Sequence, residues 1–277
     1  MNKNNQAIID FLLKSNDMDV SKYDVTFLNK TVNKRMKETL CETEEGYYKH
    51  LEQNGMEGDL FLHALEISYT EFFRNPLTFS VLEKIIIPTL VRNKSKSRGN
   101  EIRIWSAACA GGQETYSLAM LLNEFSISLG HTINFRIFAT DQSQTVIHEA
   151  KLGHYPKSAL NSLTLKRLNQ WFTKSGDMYQ VKPQLQENID FSVFDLLDKQ
   201  HSSPPASIFG DFDMVMCANL LFYYKPEYRK RIIDKTTHSL SKNGYLITGD
   251  SEREILLQHN FQEVFPHSAI FQINDKW

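Results

Sequence analysis

The chain of 277 residues lacks the features that mark several common protein classes. Its three cysteines, Cys41, Cys109 and Cys217, are far apart, show no metal-ligand spacing and suit a reducing compartment. The apolar run near the start, MNKNNQAIIDFLL, is too short to span a membrane, and it shows no small-residue cleavage site. A formal net charge of −2 gives no overall attraction to nucleic acid. We therefore expect a cytoplasmic globular protein with no metal, no nucleic-acid partner and no membrane insertion.

The stretch from Glu101 to Leu121 carries the strongest local pattern. Apolar residues typical of a buried strand (Ile102–Trp105) precede a run of small residues that ends in Gly111-Gly112, and a helical pattern follows. Such a strand, turn and helix is typical of an open α/β sheet that binds a nucleotide-like ligand. No Lys-Ser/Thr pair follows the glycines, which excludes a P-loop. Glu114 instead suits a ligand that carries an amino group, such as S-adenosylmethionine, although an ordinary tight turn remains an alternative.

The remaining pattern predicts an α/β protein with two parts. Residues 1 to about 95 are predicted to be helical throughout, with helices that include Tyr23–Leu40, Tyr47–Asn54 and Phe79–Leu90, and a polar linker follows at residues 92–100. We therefore place a small all-helical domain at residues 1–92 and a Rossmann-like domain at 93–277, with a mainly parallel sheet between helices on both faces. An inserted β-hairpin is predicted at about 171–186, with Ser175-Gly176-Asp177 as its turn. The predicted strands of the sheet are Ile102–Trp105, Phe135–Ala139, Ile189–Val193, Met214–Met216, Tyr245–Thr248 and Ala269–Ile273.

Polar side chains follow three of these predicted strands. Asp141, Asp195 and Asn219 each come after a strand, and Glu114 follows the first. Because the carboxyl ends of parallel strands meet at one edge, these four residues are expected to line one cleft. Asp141, at the second strand, could accept hydrogen bonds from ribose hydroxyls. The alternative for Asp141 is a cap for the following helix.

A row of cations lies on the predicted Tyr23–Leu40 helix. Lys30, Lys34 and Lys37 recur at intervals of four and three, which places them on one face, and Arg35 stands alongside. One interpretation is an ordinary solvated face. The other is a surface that docks an acidic helix.

Several motifs in order resemble the CheR family, the S-adenosylmethionine-dependent methyltransferases that esterify glutamate side chains on chemotaxis receptors. The resemblance extends from about Tyr23 to Glu252. The motifs that carry it are TEFFRNP (Thr70–Pro76), IWSAACAGGQETYSLAM (Ile104–Met120), FATD (Phe138–Asp141), LGHYP (Leu152–Pro156), FDLL (Phe194–Leu197) and CANLLFYY (Cys217–Tyr224).

The resemblance implies a role for individual residues. Arg74 and Tyr223 would lie near the transferred methyl group, and S-adenosylhomocysteine would be the product. The basic helix would dock the cytoplasmic helical region of a chemotaxis receptor through Lys30, Lys34, Arg35 and Lys37, with the protein acting as a monomer. Cofactor contacts are implied at Ser68, Thr70, Arg74, Glu114, Asp141, Asp195, Leu196, Ala218 and Asn219.

The chain also departs from the family pattern. Ala218 stands where the family usually has arginine, and Gly249-Asp-Ser-Glu252 replaces Gly-His-Ser-Glu. Gly111–Thr115 keeps only the second acid of the usual Thr-Gly-Glu-Glu-Pro, and the short hairpin makes binding of a tethering peptide doubtful. Two alternatives therefore stay open. One is a methyltransferase of the same build with another protein or small-molecule substrate, and the other is a non-catalytic module that binds S-adenosylmethionine or S-adenosylhomocysteine.

Overall fold

The computed structural model describes residues 3–16, 19–65, 70–94, 101–207 and 210–274. The chain divides into two compact units. The first consists of Met1–Ile67 and Leu220–Lys230, and the second of Ser68–Asn219 and Arg231–Trp277. The chain therefore leaves the second unit after Asn219 and returns to it at Arg231.

Four α-helices form most of the first unit: α1 (Lys3–Asn16), α2 (Val25–Glu38), α3 (Glu44–Gln53) and α4 (Gly55–Leu65). The Asp24 side chain caps α2 by accepting a hydrogen bond from the Thr26 amide at 2.9 Å. Thr43 caps α3 in the same way. These helices confirm the predictions at Tyr23–Leu40 and Tyr47–Asn54. Their apolar sides form an interior that includes Ile8, Leu12, Leu28, Tyr47, Leu51 and Phe61.

The segment Leu220–Lys230 completes the first unit. Tyr224 forms an isolated antiparallel bridge with Tyr23, and their ring centroids are 5.1 Å apart. The Tyr223 carbonyl accepts a hydrogen bond from the Asp24 amide at 2.7 Å. This segment thus packs with residues about 200 positions earlier in the sequence.

The helical stretch before the linker belongs to the second unit. It comprises α5 (Pro76–Val81), a π-helical turn (Leu82–Ile86) and α6 (Ile87–Lys94). Phe79, Leu82 and Leu90 are buried in the same apolar core as the sheet. The division between units thus falls at residues 67 and 68 rather than at the expected 92 and 93, because this helix buries its apolar side in the sheet core. A docking role for residues 1–92 stays a prediction.

The chain between Thr70 and Pro76 is not helical, although helix was predicted there. Phe73 and Asn75 have φ values of 52° and 100°, in the left-handed region that a right-handed helix excludes. A turn at this point precedes α5, which has Pro76 in its first turn.

A seven-stranded sheet forms the centre of the second unit. Its strands are β1 (Ile102–Ala107), β2 (Phe135–Asp141), β6 (Ile189–Val193), β7 (Phe212–Met216), β8 (Leu240–Ile247), β9 (Phe261–Glu263) and β10 (Ile270–Ile273). They lie in the order β6-β2-β1-β7-β8-β10-β9. The five strands from β6 to β8 are parallel, and β10 pairs antiparallel with β8 and β9. All six predicted strands are present, and β9 is an addition.

A small antiparallel sheet is inserted between β2 and β6. It contains β3 (His154–Pro156), β4 (Phe172–Ser175) and β5 (Met178–Val181), in the order β3-β5-β4. The predicted hairpin is confirmed, with Gly176 in its turn at φ 61°. The third strand, β3, was not predicted.

Among the other described helices, four follow strands of the parallel sheet and two lie next to strands of the small sheet. This alternation confirms the predicted α/β class. The helices are α7 (Gln113–Leu129), α8 (Gln144–Leu152), α9 (Leu165–Trp171), α10 (Pro183–Gln186), α11 (Pro226–His238) and α12 (Arg253–Leu257).

Candidate functional site

The turn between β1 and α7 has an unusual backbone that is held from two sides. Ala108 and Ala110 have left-handed φ values of 52° and 45°. The Ala110 amide donates a hydrogen bond to Asp141 Oδ2 at 3.1 Å, and the Tyr155 hydroxyl donates to the Gly111 carbonyl at 2.6 Å. Strained backbone of this kind persists where the surrounding contacts fix it, and such turns are frequent at ligand sites.

Gly112 begins α7 at a position that only glycine fits. Its φ is 85°, and an added Cβ would lie 3.2 Å from the Ala150 Cβ. Because glycine has no side chain, the start of α7 can lie close to α8 and the turn can be tight.

Glu114 occupies the first turn of α7. Burial raises the pKa of its carboxyl to about 7, the positive charge of Arg74 opposes this rise, and the charge of Glu252 adds to it. Glu114 and Arg74 therefore interact electrostatically in the second unit. A carboxyl with this pKa changes charge near neutral pH, and it can face a ligand ammonium group.

Arg74 is carried by the turn that precedes α5. The neighbouring Phe73 amide donates a hydrogen bond to Ser117 Oγ on α7 at 3.0 Å. The Arg167 guanidinium lies 4.1 Å from the centroid of the Phe73 ring. These contacts fix the backbone on the N-terminal side of Arg74, so its side chain starts from a well-defined position near Glu114.

Four buried polar atoms of the second unit have no hydrogen-bond partner among the described residues. They are Thr70 Oγ1, Asn75 Nδ2, Gln113 Oε1 and Ser192 Oγ. Thr70 is one of the residues that the sequence assigned to the cofactor, and Gln113 stands beside Glu114. A buried polar atom without a partner costs free energy, and a bound polar ligand can provide the missing hydrogen bond. Ser68, another expected cofactor residue, lies outside the described residues.

Asp141 ends β2 and reaches the β1–α7 turn. Besides the Ala110 amide, it accepts a hydrogen bond from the Ser143 amide at 3.1 Å. The cap of α8 is Ser143 and not Asp141, so the helix-cap interpretation of Asp141 is wrong. Asp141 holds the turn through the Ala110 amide, and its contact with ribose hydroxyls stays a prediction.

Asp195 and Leu196 follow β6. The Phe194 amide donates a hydrogen bond to the Asp141 carbonyl at 2.9 Å, which brings the end of β6 to the end of β2. Asp195 is exposed and accepts from the Leu197 amide at 2.8 Å, while Leu196 is buried. This pair offers one polar and one apolar side chain at the same edge.

Ala218 and Asn219 follow β7. Ala218 is half-buried against the sheet core and has no polar side-chain atom. Asn219 has a left-handed φ of 58°, and its amide donates a hydrogen bond to Glu252 Oε2 at 2.8 Å. Sequence reasoning noted Glu252 only as part of a divergent motif and assigned it no role in the site.

The sheet order brings these strand ends together as expected. β6, β2, β1 and β7 are consecutive neighbours, with Asp141 paired with Val193 and Ser106 with Met216. The edge combines carboxylates, small residues and a tight turn. It fits the amino group and ribose of S-adenosylmethionine, a ligand without phosphates.

Tyr223 lies in the first unit, in the short 3₁₀ turn Leu221–Tyr223. Its ring packs against Phe27 of α2, with the ring centroids 4.7 Å apart. Its role beside the transferred methyl group stays a prediction.

The basic face of α2 is smaller than the sequence suggested. Lys30, Lys34 and Lys37 are exposed, and we refer to them as the α2 lysine face. Arg35 is buried instead, with its Nε 2.8 Å from Glu57 Oε1 and its Nη2 2.6 Å from Glu57 Oε2. Its docking role is therefore replaced by a structural one, since the guanidinium is bound inside the unit.

The buried carboxylate of Glu57 has further partners. The Tyr47 hydroxyl donates to Glu57 Oε1 at 2.7 Å, and Arg35 also pairs with Glu38. Burial would raise the pKa of Glu57, but hydrogen bonds from Arg35 and Tyr47 hold it below its ordinary value. This network joins α2, α3 and α4.

Two kinds of feature are absent from the described residues. No helix in that part of the chain combines the length and apolarity needed to cross a bilayer. The same residues contain no cluster of three or more histidine, cysteine or acidic side chains that could hold a metal ion.

Comparison with known proteins identifies the relatives of the chain. Residues 68–270 match the family described as "CheR methyltransferase, SAM binding domain". The chain is 33% identical over 207 residues to a chemotaxis protein methyltransferase of Listeria monocytogenes, covering 75% of this chain and 73% of that one. It is 36% identical over 205 residues to the chemotaxis protein methyltransferase Cher2 of Pseudomonas putida, covering 73% and 71%. A longer match, 28% identical over 265 residues, covers 94% of this chain and 60% of a probable biofilm formation methyltransferase, WspC, of Pseudomonas aeruginosa.

Proposed function

Because the chain belongs to the CheR methyltransferase family and is an S-adenosylmethionine-dependent methyltransferase, we propose that it methylates glutamate side chains of chemotaxis receptors. The product would be a glutamate methyl ester on the cytoplasmic helical region of the receptor, which places the reaction in the cytoplasm. The observation that carries this proposal is the charge interaction between Arg74 and Glu114 in the second unit. One side chain can attract an incoming carboxylate, and the other can hold the amino group of the cofactor.

The proposed reaction needs no general base. A glutamate side chain has an ordinary pKa of about 4.3, so it is already an ionised nucleophile at neutral pH. S-adenosylmethionine, when bound, supplies an electrophilic methyl group. The protein's residues therefore have to orient the two reactants and exclude water.

Arg74 is the residue that we assign to the incoming carboxylate. A guanidinium can bind a carboxylate through two parallel hydrogen bonds, which fixes the direction of its oxygens. The contact between Phe73 and Ser117 restricts the position from which Arg74 acts. Tyr223 is assigned to the surroundings of the methyl group on the family resemblance alone.

Arg74→Ala is expected to lower kcat/KM for methyl transfer by about a hundredfold, because charge stabilisation and orientation are both lost. Affinity for S-adenosylhomocysteine should fall by a smaller factor, because the charge of Arg74 favours the ionised form of Glu114. Arg74→Lys is the matched variant, and it should recover part of the rate since it keeps the charge but not the paired hydrogen bonds. Full turnover by Arg74→Ala would contradict the assignment.

The α2 lysine face supports the assignment of an acidic protein partner. Its three ammonium groups project from one side of α2 and form no ion pair among the described residues. A negatively charged helix would gain attraction along this side and would be oriented by it. We assign the docking of the receptor helix to this face.

One observation favours a second candidate, a methyltransferase of the same build with another substrate. Ala218 provides no charged group where the family usually has arginine. The relative WspC is named as a probable biofilm formation methyltransferase, so the family includes members named for other processes.

The test is methyl transfer from labelled S-adenosylmethionine to cytoplasmic fragments of chemotaxis receptors. Base-labile label on the fragment would support a carboxyl methyl ester. No label from a sample that binds the cofactor in calorimetry would contradict the receptor assignment. In that case, label on another protein or small molecule would support the second candidate, and no label on any acceptor would indicate a binding module.

A further inference from the structure

A buried carboxylate lies behind the cofactor edge of the sheet. Glu252 ends the 3₁₀ turn Asp250–Glu252 that follows β8, and its exposed fraction is 0%. Its Oε2 accepts hydrogen bonds from the backbone amides of Asn219 and Gly249, both at 2.8 Å. A carboxylate can be buried at low cost only where such donors compensate for the lost water.

The two amides that Glu252 binds belong to residues that touch each other. An added Cβ on Gly249 would lie 2.3 Å from Asn219 Nδ2 and 2.9 Å from its backbone nitrogen. The Asn219 side chain therefore packs directly over Gly249. Glu252 holds the two backbones together in the arrangement that this packing requires.

Asn219 needs such support because of its backbone. Its φ of 58° lies in the left-handed region, which asparagine adopts more readily than most residues but still at a cost. The hydrogen bond from its amide to Glu252 fixes that conformation and thereby the direction of the side chain. Since Ala218 has no polar side-chain atom, Asn219 is the polar side chain of this pair.

We propose that Glu252 is a positioning residue of the cofactor site, which sets the direction of the Asn219 side chain through its backbone amide. The inference rests on the proposed cofactor role of Asn219. It adds that the strength of that contact depends on a carboxylate 33 residues later in the chain.

A second carboxylate, which is only partly buried, provides a matched control. Glu263 accepts hydrogen bonds from the amides of Ala269 and His267 at 2.8 and 3.2 Å, and it pairs with Arg253. It resembles Glu252 in binding two backbone amides of the second unit. None of these three partners belongs to the cofactor edge, so its loss reports on stability.

The experiment measures the affinity for S-adenosylhomocysteine by calorimetry, with no methyl acceptor present. Asn219→Ala and Glu252→Asp are each expected to lose about tenfold in affinity, the value of one net hydrogen bond. The double variant should lose no more than either single one, because both changes remove the same contact. Gly249→Ala, which displaces the Asn219 amide, should also lose about tenfold.

Two further variants separate geometry from charge and from stability. Glu252→Gln can still accept from both amides through its side-chain oxygen, and it should lose less than about threefold in affinity. Glu263→Asp should keep wild-type affinity even where its melting temperature falls. Thermal melting of the unliganded variants is measured alongside.

Three results would overturn the inference. The first is unchanged affinity in Asn219→Ala, which would remove the contact that Glu252 is said to position. The second is an affinity loss in the double variant equal to the product of the single losses, which would show independent action. The third is a lower melting temperature with wild-type affinity in Glu252→Asp. Since no acceptor is involved, failure to methylate receptors would leave this inference standing.

Discussion

Acidification is expected to weaken cofactor binding through Glu114. This carboxyl has a pKa of about 7 in the unliganded protein, raised from 4.5 chiefly by burial. The ionised form is the one that attracts an ammonium group, and the α-amino group of the ligand stays protonated through the neutral range. Below neutral pH the ligand therefore keeps its charge while Glu114 loses its own.

The sign and size of the effect follow from this pKa. With a pKa of about 7, roughly 10% of Glu114 is ionised at about pH 6 and roughly 75% at about pH 7.5. Binding that requires the ionised form should therefore weaken by about eightfold between these two values. Affinity is retained above the pKa and lost as the pH falls through it, with about 0.9 protons released per ligand bound at about pH 6.

Calorimetry with S-adenosylhomocysteine in two buffers of different ionisation enthalpy measures both the affinity and the proton release. Glu114→Gln should bind more weakly at neutral pH, and its affinity should vary little below pH 7. Glu149→Gln, an exposed acid on α8, is the control and should keep the wild-type pH profile. An affinity that stays constant across this range, with no proton release, would refute the reasoning.

Two predictions concern the first unit. Arg35→Met should lower the free energy of unfolding by about 3 kcal/mol, because Glu57 would keep a buried and uncompensated charge. The double variant that also carries Glu57→Gln should regain part of this free energy. Urea unfolding measures both, and an unchanged midpoint in Arg35→Met would contradict the structural role. Reversing the charge of the α2 lysine face to glutamate should raise KM for the receptor fragment about tenfold or more, most at low salt, with unchanged affinity for S-adenosylhomocysteine. Lys166→Glu, an exposed lysine of α9, is the control, and an unchanged KM in the lysine-face variant would count against receptor docking there.

Four of the five parallel strands were predictable because each contains a run of buried apolar residues, and β6 because apolar and polar residues alternate along it. The two strands that were missed, β3 and β9, have three residues each, too few for a periodic pattern. The predicted helix across Phe72 and Phe73 failed for another reason. Both aromatic residues fit an apolar helix face, but the left-handed backbone at Phe73 depends on a hydrogen bond to Ser117, 44 residues later.

Arg35 shows how the helix pattern itself was misread. Leu28, Val32 and Arg35 are spaced by four and three, the same spacing that relates Lys30, Lys34 and Lys37. This spacing places Arg35 on the apolar side of α2. Its partner Glu57 lies 22 residues later on α4, and no local pattern indicates that pairing.

The cofactor edge was predictable in outline, since polar residues at the ends of adjacent parallel strands must meet. The hydrogen bonds by which Glu252 supports that edge could not be predicted. Glu252 acts on backbone amides, which every residue possesses, so the identity of its partners leaves no mark in the sequence.

The return of Leu220–Lys230 to the first unit has a consequence for how this protein can be divided. Cutting the chain once, after residue 67, would leave Tyr224 without the ring of Tyr23 and Tyr223 without that of Phe27. The second unit is therefore not one continuous stretch of sequence after residue 67, because Leu220–Lys230 belongs to the first unit. An exchange of the first unit between relatives would have to transplant two separate stretches of sequence together, and a fusion that carries only the first would expose the aromatic rings that the second one covers.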